Sequence, residues 1–510
     1  MCARQIVALV VLGAGLAGCA VGPDYHTPKM KLPDGFVAAS DAPSATGAGH
    51  EAVDPATWWK ALNDAKLDSL IERAIQANPS LEIALTRLQE ARTFETVVAG
   101  RALPNLEASA GAGRGTGSDS TRGRVPSPLT SASNTAGLTQ ITTVAGFDAA
   151  WEIDLFGKYR REIEAVRYDT QAFAAARSAV LVTVVADVVR AYLDMRGLQT
   201  QHAVLGQNIR SAQKSLDLVQ ARFDRGIINE LDVTLARRQL GTLQAQLAPL
   251  AAQISAAQYA IAVLLGQYPE EMVKELAKPE LIPQIPGQID AGLPLDLLRR
   301  RPDVIEAERL LASATAQIGV ATANLFPRRA LTASAGTQAQ GLGVTPEISR
   351  SIWSAGVGVL WPLLDFGTLD GVANIADLRT HELLVNYKQT VLRAVQEVDS
   401  AMSNYAAQQD RLRNLGEALV ASERAVSIAS QRYDRGLTDF LNVVDAEREQ
   451  YGLQEQYAAA QVAVGEQFVA LYKGVGGGWQ QYQSIPPIRQ PQPAIVAAFR
   501  RLLYPEDPLK

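Results

Sequence analysis

Two periodicities alternate along this chain, and the alternation happens twice. Leu106, Ala108 and Ala110 alternate with Glu107, Ser109 and Gly111, and Leu331, Ala333 and Ala335 alternate with Thr332 and Ser334. A period of two puts like residues on one face of a strand. The partner strands are clearer: Ala145, Phe147, Ala149, Trp151, Ile153 and Leu155 share one face, with Asp148, Glu152 and Asp154 on the other. Trp353, Ala355, Val357, Val359 and Trp361 repeat the apolar face. Strands are therefore predicted at about 105–113, 142–156, 330–340 and 352–366.

After each second strand the period lengthens. The stretches 158–225 and 368–435 are each 68 residues without proline, and as helices they would run roughly 100 Å at 1.5 Å per residue. Ile209, Ala212, Leu216, Val219 and Phe223 step along a coiled-coil seam, and Leu412, Leu415, Leu419, Val426 and Tyr433 keep the same heptad. Return helices are predicted at 231–265 and 441–473. Proline, well placed in a first helical turn, opens a further helix in each half at Pro79 and Pro302. The opening and return helices nearly match the long one in combined length, so they can stack end to end beside it.

The doubling extends to individual residues. Arg222-Phe223-Asp224-Arg225-Gly226 recurs as Arg432-Tyr433-Asp434-Arg435-Gly436, an offset of 210 that also relates Trp151, Phe156 and Gly157 to Trp361, Phe366 and Gly367. Pro79 and Pro104 answer to Pro302 and Pro327 at an offset of 223, so the hairpin loops differ in length. The chain is two copies of one unit, 79–266 and 302–475, joined by 267–301. Residues 28–55 and the stretch from Pro486 onward, within a 476–510 tail, read as extended or flexible, and 55–78 begins the folded part of the 19–78 segment.

Four strands cannot close a cylinder, and open edges in lipid leave backbone groups unsatisfied. Apolar faces ending near Trp151 and Trp361 fit transmembrane strands with an aromatic girdle, and Asp148, Glu152 and Asp154 then face a watery lumen. Two chains give eight strands, which side chains fill; three give twelve and leave a channel. A soluble sandwich packed on a helical bundle is the competing architecture.

Composition narrows the function classes. The chain is 47% hydrophobic and 20% charged with a net charge of -5, which excludes general disorder and gives no support to nucleic-acid binding. Four histidines and two cysteines are too few for a zinc cluster or a disulfide framework. His381-Glu382 lacks the second histidine of a zinc protease, and Gly474–Gly478 lacks the Lys-Ser/Thr of a phosphate loop. The reading is of a protein that is not an enzyme and needs no cofactor or metal. Arg4, the apolar run Ile6–Leu12 and the small residues before Cys19 have the form of an export signal, 1–18. Leu16-Ala17-Gly18-Cys19 resembles a lipobox, in which the cysteine is acylated, and Ala20 in place of aspartate implies sorting to the outer membrane.

Together, Cys19-Ala-Val-Gly-Pro23-Asp24-Tyr25, Trp58-Trp59, Arg300-Arg301-Pro302-Asp303-Val304 with Glu306-Ala-Glu308, the two Arg-aromatic-Asp-Arg-Gly turns, Asp365-Phe366-Gly367 and Gly476-Gly-Gly478-Trp479 resemble the outer-membrane factors of tripartite efflux systems. These are TolC- and OprM-like proteins, and the match is to the NodT-type lipoprotein branch. The resemblance implies a mixed α and β fold: a homotrimer with a twelve-stranded outer-membrane barrel continued by a periplasmic α-helical tunnel. It implies an RND-type inner-membrane pump and a periplasmic membrane-fusion adaptor as partners, besides outer-membrane lipid. Arg222, Phe223, Gly226, Arg432, Tyr433 and Gly436 would receive the adaptor at the tip. Leu441, Asp445 and Arg448, at i, i+4 and i+7 of one helical face, would form the gate with Asp232, while Asn442 departs from relatives that carry a second acidic ring. A duct for type I protein secretion and a periplasmic coiled-coil adaptor are the alternative functions.

Overall fold

The computed structural model describes residues 20–33, 35–37, 53–116, 139–287, 299–342 and 348–482. A 3-10 helix at Pro55–Leu62 leads into α1 (Ala65–Ala77), α2 (Pro79–Arg101), β1 (Asn105–Thr116), β2 (Thr139–Ile153), α3 (Lys158–Asp224), α4 (Glu230–Leu264) and α5 (Pro269–Glu275). The second half follows as α6 (Pro302–Ala323), β3 (Arg328–Leu342), β4 (Ile348–Leu360), α7 (Thr368–Asp434) and α8 (Phe440–Gly474).

The strands form one antiparallel sheet in chain order, β2 pairing with β3 across the repeat boundary. Register aligns Glu107, Asp148, Ser334 and Ser354 in one row and Leu106, Ala149, Ala333 and Ala355 in the next. Adjacent rows point to opposite faces, so the sheet is polar on one side. There the Ser109 hydroxyl donates to Asp148 at 3.2 Å, and the Ser334 and Ser354 hydroxyls lie 2.7 Å apart. The other side presents Leu106, Phe147, Trp353 and Val357, all exposed in a single chain.

Strand ends differ from expectation. All four strands begin earlier or run further toward the hairpin loops, whereas β2 stops at Ile153 and β4 at Leu360. Asp154 consequently lies outside the ladder. It accepts a hydrogen bond from the Arg160 backbone N–H at 2.9 Å and so caps the start of α3 rather than lining a strand face. Trp361 also falls beyond its strand, and its indole donates to the Leu325 carbonyl at 3.1 Å. Trp151 donates in the same way to Ala102 at 3.0 Å. Each repeat thus ties its second strand to the carbonyl end of its opening helix, where backbone acceptors lack helical partners.

The end-to-end stacking has a specific joint in each half. Asn78, which caps α2, donates to the Leu264 carbonyl at the end of α4 (2.7 Å), and Arg301, before α6, donates to the Gly474 carbonyl at the end of α8 (2.9 Å). Gly266 and Gly476 follow α4 and α8 with positive φ, and a Cβ there would stand 2.4 Å from the Ala77 carbonyl oxygen or 2.9 Å from that of Arg300. Only glycine permits that approach. The result is a set of parallel columns: α2 and α4 stacked together, then α3, then α6 and α8 stacked together, then α7.

The main core lies where the 3-10 helix, α1, α3 and α8 meet. Trp58 stacks on Tyr472 with ring centroids 5.6 Å apart and meets Trp59 and Phe468 edge-on. By length and composition α3 and α4 could cross a membrane, but the apolar stretch of α3, Leu181 to Tyr192, is part of this core. The segment after Cys19, expected from about Pro28 to be extended or flexible, packs in its described part: Tyr25, Met30, Leu32 and Phe36 lie against α6 and α7.

Candidate functional site

Each long helix ends in the same way. The N–H of Ile227 reaches back to Arg222 at 3.1 Å and that of Leu437 to Arg432 at 2.9 Å, while Gly226 and Gly436 bond to Phe223 and Tyr433. This pattern, with φ 69° at both glycines, is the Schellman closure that left-handed glycine allows. The expected tip residues are therefore brought to one end of the molecule. Arg222 bridges the two repeats: its guanidinium sits 2.8 Å from Asp434 and 4.8 Å from the centre of the Tyr433 ring. Tyr433 is buried and packs against Phe440 with centroids 5.2 Å apart. Phe223 and Arg432, by contrast, are exposed.

The gate residues occupy the same end. Leu441, Asp445 and Arg448 are all exposed on the first turns of α8, on the side opposite the buried Val443, Val444 and Glu447. Asp232 stands in the first turn of α4, where its backbone N–H is capped by Asn229. Burial, and then the nearby Asp439 carboxylate, raise Asp232 above the ordinary carboxyl range. Asp232 is half-buried, while Asp445 and Arg448 are exposed. Asp148 and Glu152 lie on the polar side of the sheet, Glu152 accepting from the Tyr159 hydroxyl at 3.1 Å. Cys19 lies outside the described residues.

Sequence reasoning missed three members of the tip. Phe440 completes the aromatic pair, Asp434 is the Arg222 partner, and buried Glu447 accepts from the Ser215 hydroxyl at 3.0 Å, joining α8 to α3. Glu447 alone carried a readable signal, since it falls at the apolar a/d spacing from Phe440 and Val443.

Apart from these two turns, several motifs behind the family resemblance lie elsewhere, in the joints. Arg301 is clamped by Asp303 (2.6 Å) and Glu397 (2.8 Å) besides the Gly474 carbonyl. Glu308 accepts from Tyr25 (3.0 Å) and Thr27 (3.1 Å), so Gly22-Pro23-Asp24-Tyr25 meets Glu306-Ala-Glu308. Arg161 holds the same strap through Asp24 (2.7 Å) and the carbonyls of Val21 and Gly22. Gly477 and Gly478 abut Trp58 and Trp59, and the Trp479 indole donates to Arg300 at 2.9 Å.

A family model described as outer membrane efflux protein matches residues 70–267 and 293–477, one block for each repeat. The chain belongs to the outer membrane efflux protein family. Membership makes it an outer-membrane protein whose helical part extends into the periplasm. It is 28% identical to nodulation protein T of Rhizobium leguminosarum bv. viciae over 502 residues, 96% of each chain. It is 26% identical to the cation efflux system protein CusC of Escherichia coli O6:H1, covering 91% of this chain and 97% of that one. Among solved structures, the outer-membrane channel OprN is 34% identical with a TM-score of 0.79, covering 91% of this chain and 100% of that one.

Proposed function

We propose that this chain is the outer-membrane duct of a tripartite RND-type efflux system. Three copies close a twelve-stranded barrel and a helical tunnel, a periplasmic adaptor docks at the tip, and drugs or other small toxic compounds leave passively from the inner-membrane pump. The observation that carries this reading is an interface made once and left open once. Within the chain, α3 packs on both sides, against α2 and α4 and against α6 and α8, while α7 packs against α6 and α8. The uncovered side of α7 is apolar where the matching side of α3 is covered: Leu392 is 68% exposed and its counterpart Val182 6%. The free side of α4 matches it, Tyr259 being 44% exposed against 0% for the equivalent Val469 on α8. Repetition of the internal packing therefore seats α7 of one protomer on α2 and α4 of the next.

The other features support the same account. The apolar sheet face is exposed as a lipid-facing surface must be. Ala20 rests against Gly157 at the point where strands give way to helices, so an acylated Cys19 would emerge at the periplasmic face of the bilayer. Leu441, Asp445 and Arg448, exposed on one helix face, converge on the axis when three copies close, an apolar ring beside charges that can pair between subunits. Relatives named for cation efflux and toluene efflux support a small-molecule cargo.

The deciding experiment is native mass in detergent together with conductance in planar bilayers. A trimer that forms pores is the expected result, and a monomer in plain buffer, once freed of its lipid, ends the channel reading. Cys19→Ser is expected to abolish acyl labelling without abolishing the trimer.

A further inference from the structure

The tip contact between the two repeats has a counterpart that one chain leaves unmade. Inside the protomer Arg222 pairs with Asp434 and stacks on Tyr433, Tyr433 packs on Phe440, and Ser215 bonds to Glu447. At the offset of 210 these six positions correspond to Arg432 with Asp224 and Phe223, then Glu230, Ala425 and Arg237. Arg432, Asp224, Phe223 and Glu230 are all exposed. Among the described residues Asp224 accepts a hydrogen bond on one oxygen, from Gln220 one turn back at 2.9 Å, and its carboxylate has a second oxygen for another donor.

We infer that Arg432 of one protomer pairs with Asp224 and stacks on Phe223 of a second copy of this chain, so that the tip has two kinds of seam. This rests on the trimeric reading above. The seam within a protomer is aromatic and hydrogen-bonded. The seam between protomers carries Glu230 where the first has Phe440, and Ala425 opposite Arg237 where the first has the Ser215–Glu447 bond. It therefore keeps the guanidinium, gains a second carboxylate near it, and loses the buried ring pair. An exposed ionic contact of this kind is screened by salt, whereas a buried aromatic one is not. The tip accordingly parts at subunit boundaries before it parts within a subunit.

The test uses the full lipidated chain, purified as a trimer, with cysteine pairs joined by a short thiol-specific bifunctional reagent. Arg432→Cys with Asp224→Cys is expected to give covalent dimers and trimers, while Arg222→Cys with Asp434→Cys stays at monomer mass. A trimer by native mass whose Arg432→Cys, Asp224→Cys pair remains monomeric on the gel overturns the seam but not the channel; a chain that is monomeric by native mass overturns both. In planar bilayers Arg432→Glu should raise closed-state conductance, and adding Asp224→Arg should return it to the wild-type level. Failure of that reversal to restore the value also sinks the pairing.

Discussion

The region around Trp58 and the tip around Tyr433 are both places where the two repeats meet, yet they are built differently. Around Trp58 four aromatic rings interlock, and the two terminal nitrogens of the buried Arg196 donate to Gln199, the Lys278 carbonyl, the Tyr192 hydroxyl and Glu280. At the tip a small cluster of Val219, Val233, Tyr433, Phe440, Val443 and Val444 is rimmed by exposed Ile227, Leu231, Leu437 and Leu441. The first arrangement resists change because any shift opens voids among large rings. The second can rearrange by giving up one ring pair and an ion pair, and low-stability regions are where functional motion is found. The dense packing around Trp58 and the sparse packing at the tip thus lie at different levels of the same helices.

The largest effect expected is in the Trp58 core. Trp58→Ala removes a side chain that is 1% exposed and should cost about 3–5 kcal/mol, read as a large fall in the thermal midpoint of the purified protein. Trp58→Phe keeps a ring against Tyr472 and should recover most of it. An unchanged midpoint in Trp58→Ala would locate the stabilising core elsewhere and erase the contrast.

At the tip the same kind of truncation should act on conductance instead. Asp434 is half exposed, so its pairing with Arg222 contributes little to stability, and stacking on Tyr433 adds about 0.5–1 kcal/mol. Arg222→Ala is therefore expected to leave the midpoint nearly unchanged while raising single-channel conductance. Asp445→Ala, on the exposed face of α8 that carries the proposed gate, should do likewise. If both variants conduct as wild type does, the restriction lies elsewhere along the tunnel, and the tip is only a cap.

What the sequence made legible follows from what period and repetition can encode. The long helices, the sheet and the joints were readable because 210 and 223 are offsets of whole elements, and the joints occur where the two registers meet, at Asn78 with Leu264 and at Arg301 with Gly474. Strand ends were not, because Asp154 keeps the alternation of β2 while its side chain leaves the ladder to cap α3. The partners of Arg222 were hidden for a different reason: a contact between repeats joins residues about 210 apart in chain, and nothing local marks which carboxylate is chosen. Most motifs behind the resemblance hold the scaffold, with glycines and buried arginines at backbone crossings, whereas at the tip only the turn motif itself was legible and its partners on the return helix were not.

The smallest predicted effect concerns a charge beside the Trp58 core itself. Asp194, on α3, is pushed up to about 6 by burial and then by the Glu466 carboxylate on α8, with Arg190 partly opposing the shift. Its folded value is above the unfolded 3.8, so the unfolded chain releases this proton first as pH rises. Stability is therefore lost between about pH 4 and 6, and the penalty stays in full above that window. Asp194→Asn removes the charge without changing the shape. It should raise stability at pH 7.5 by on the order of 1 kcal/mol after allowance for solvent screening, with the gain shrinking through pH 6 and gone near pH 4. Thermal melts of the two proteins across that range decide the matter: an equal gain at both ends would mean that packing, and not the carboxylate pair, is responsible.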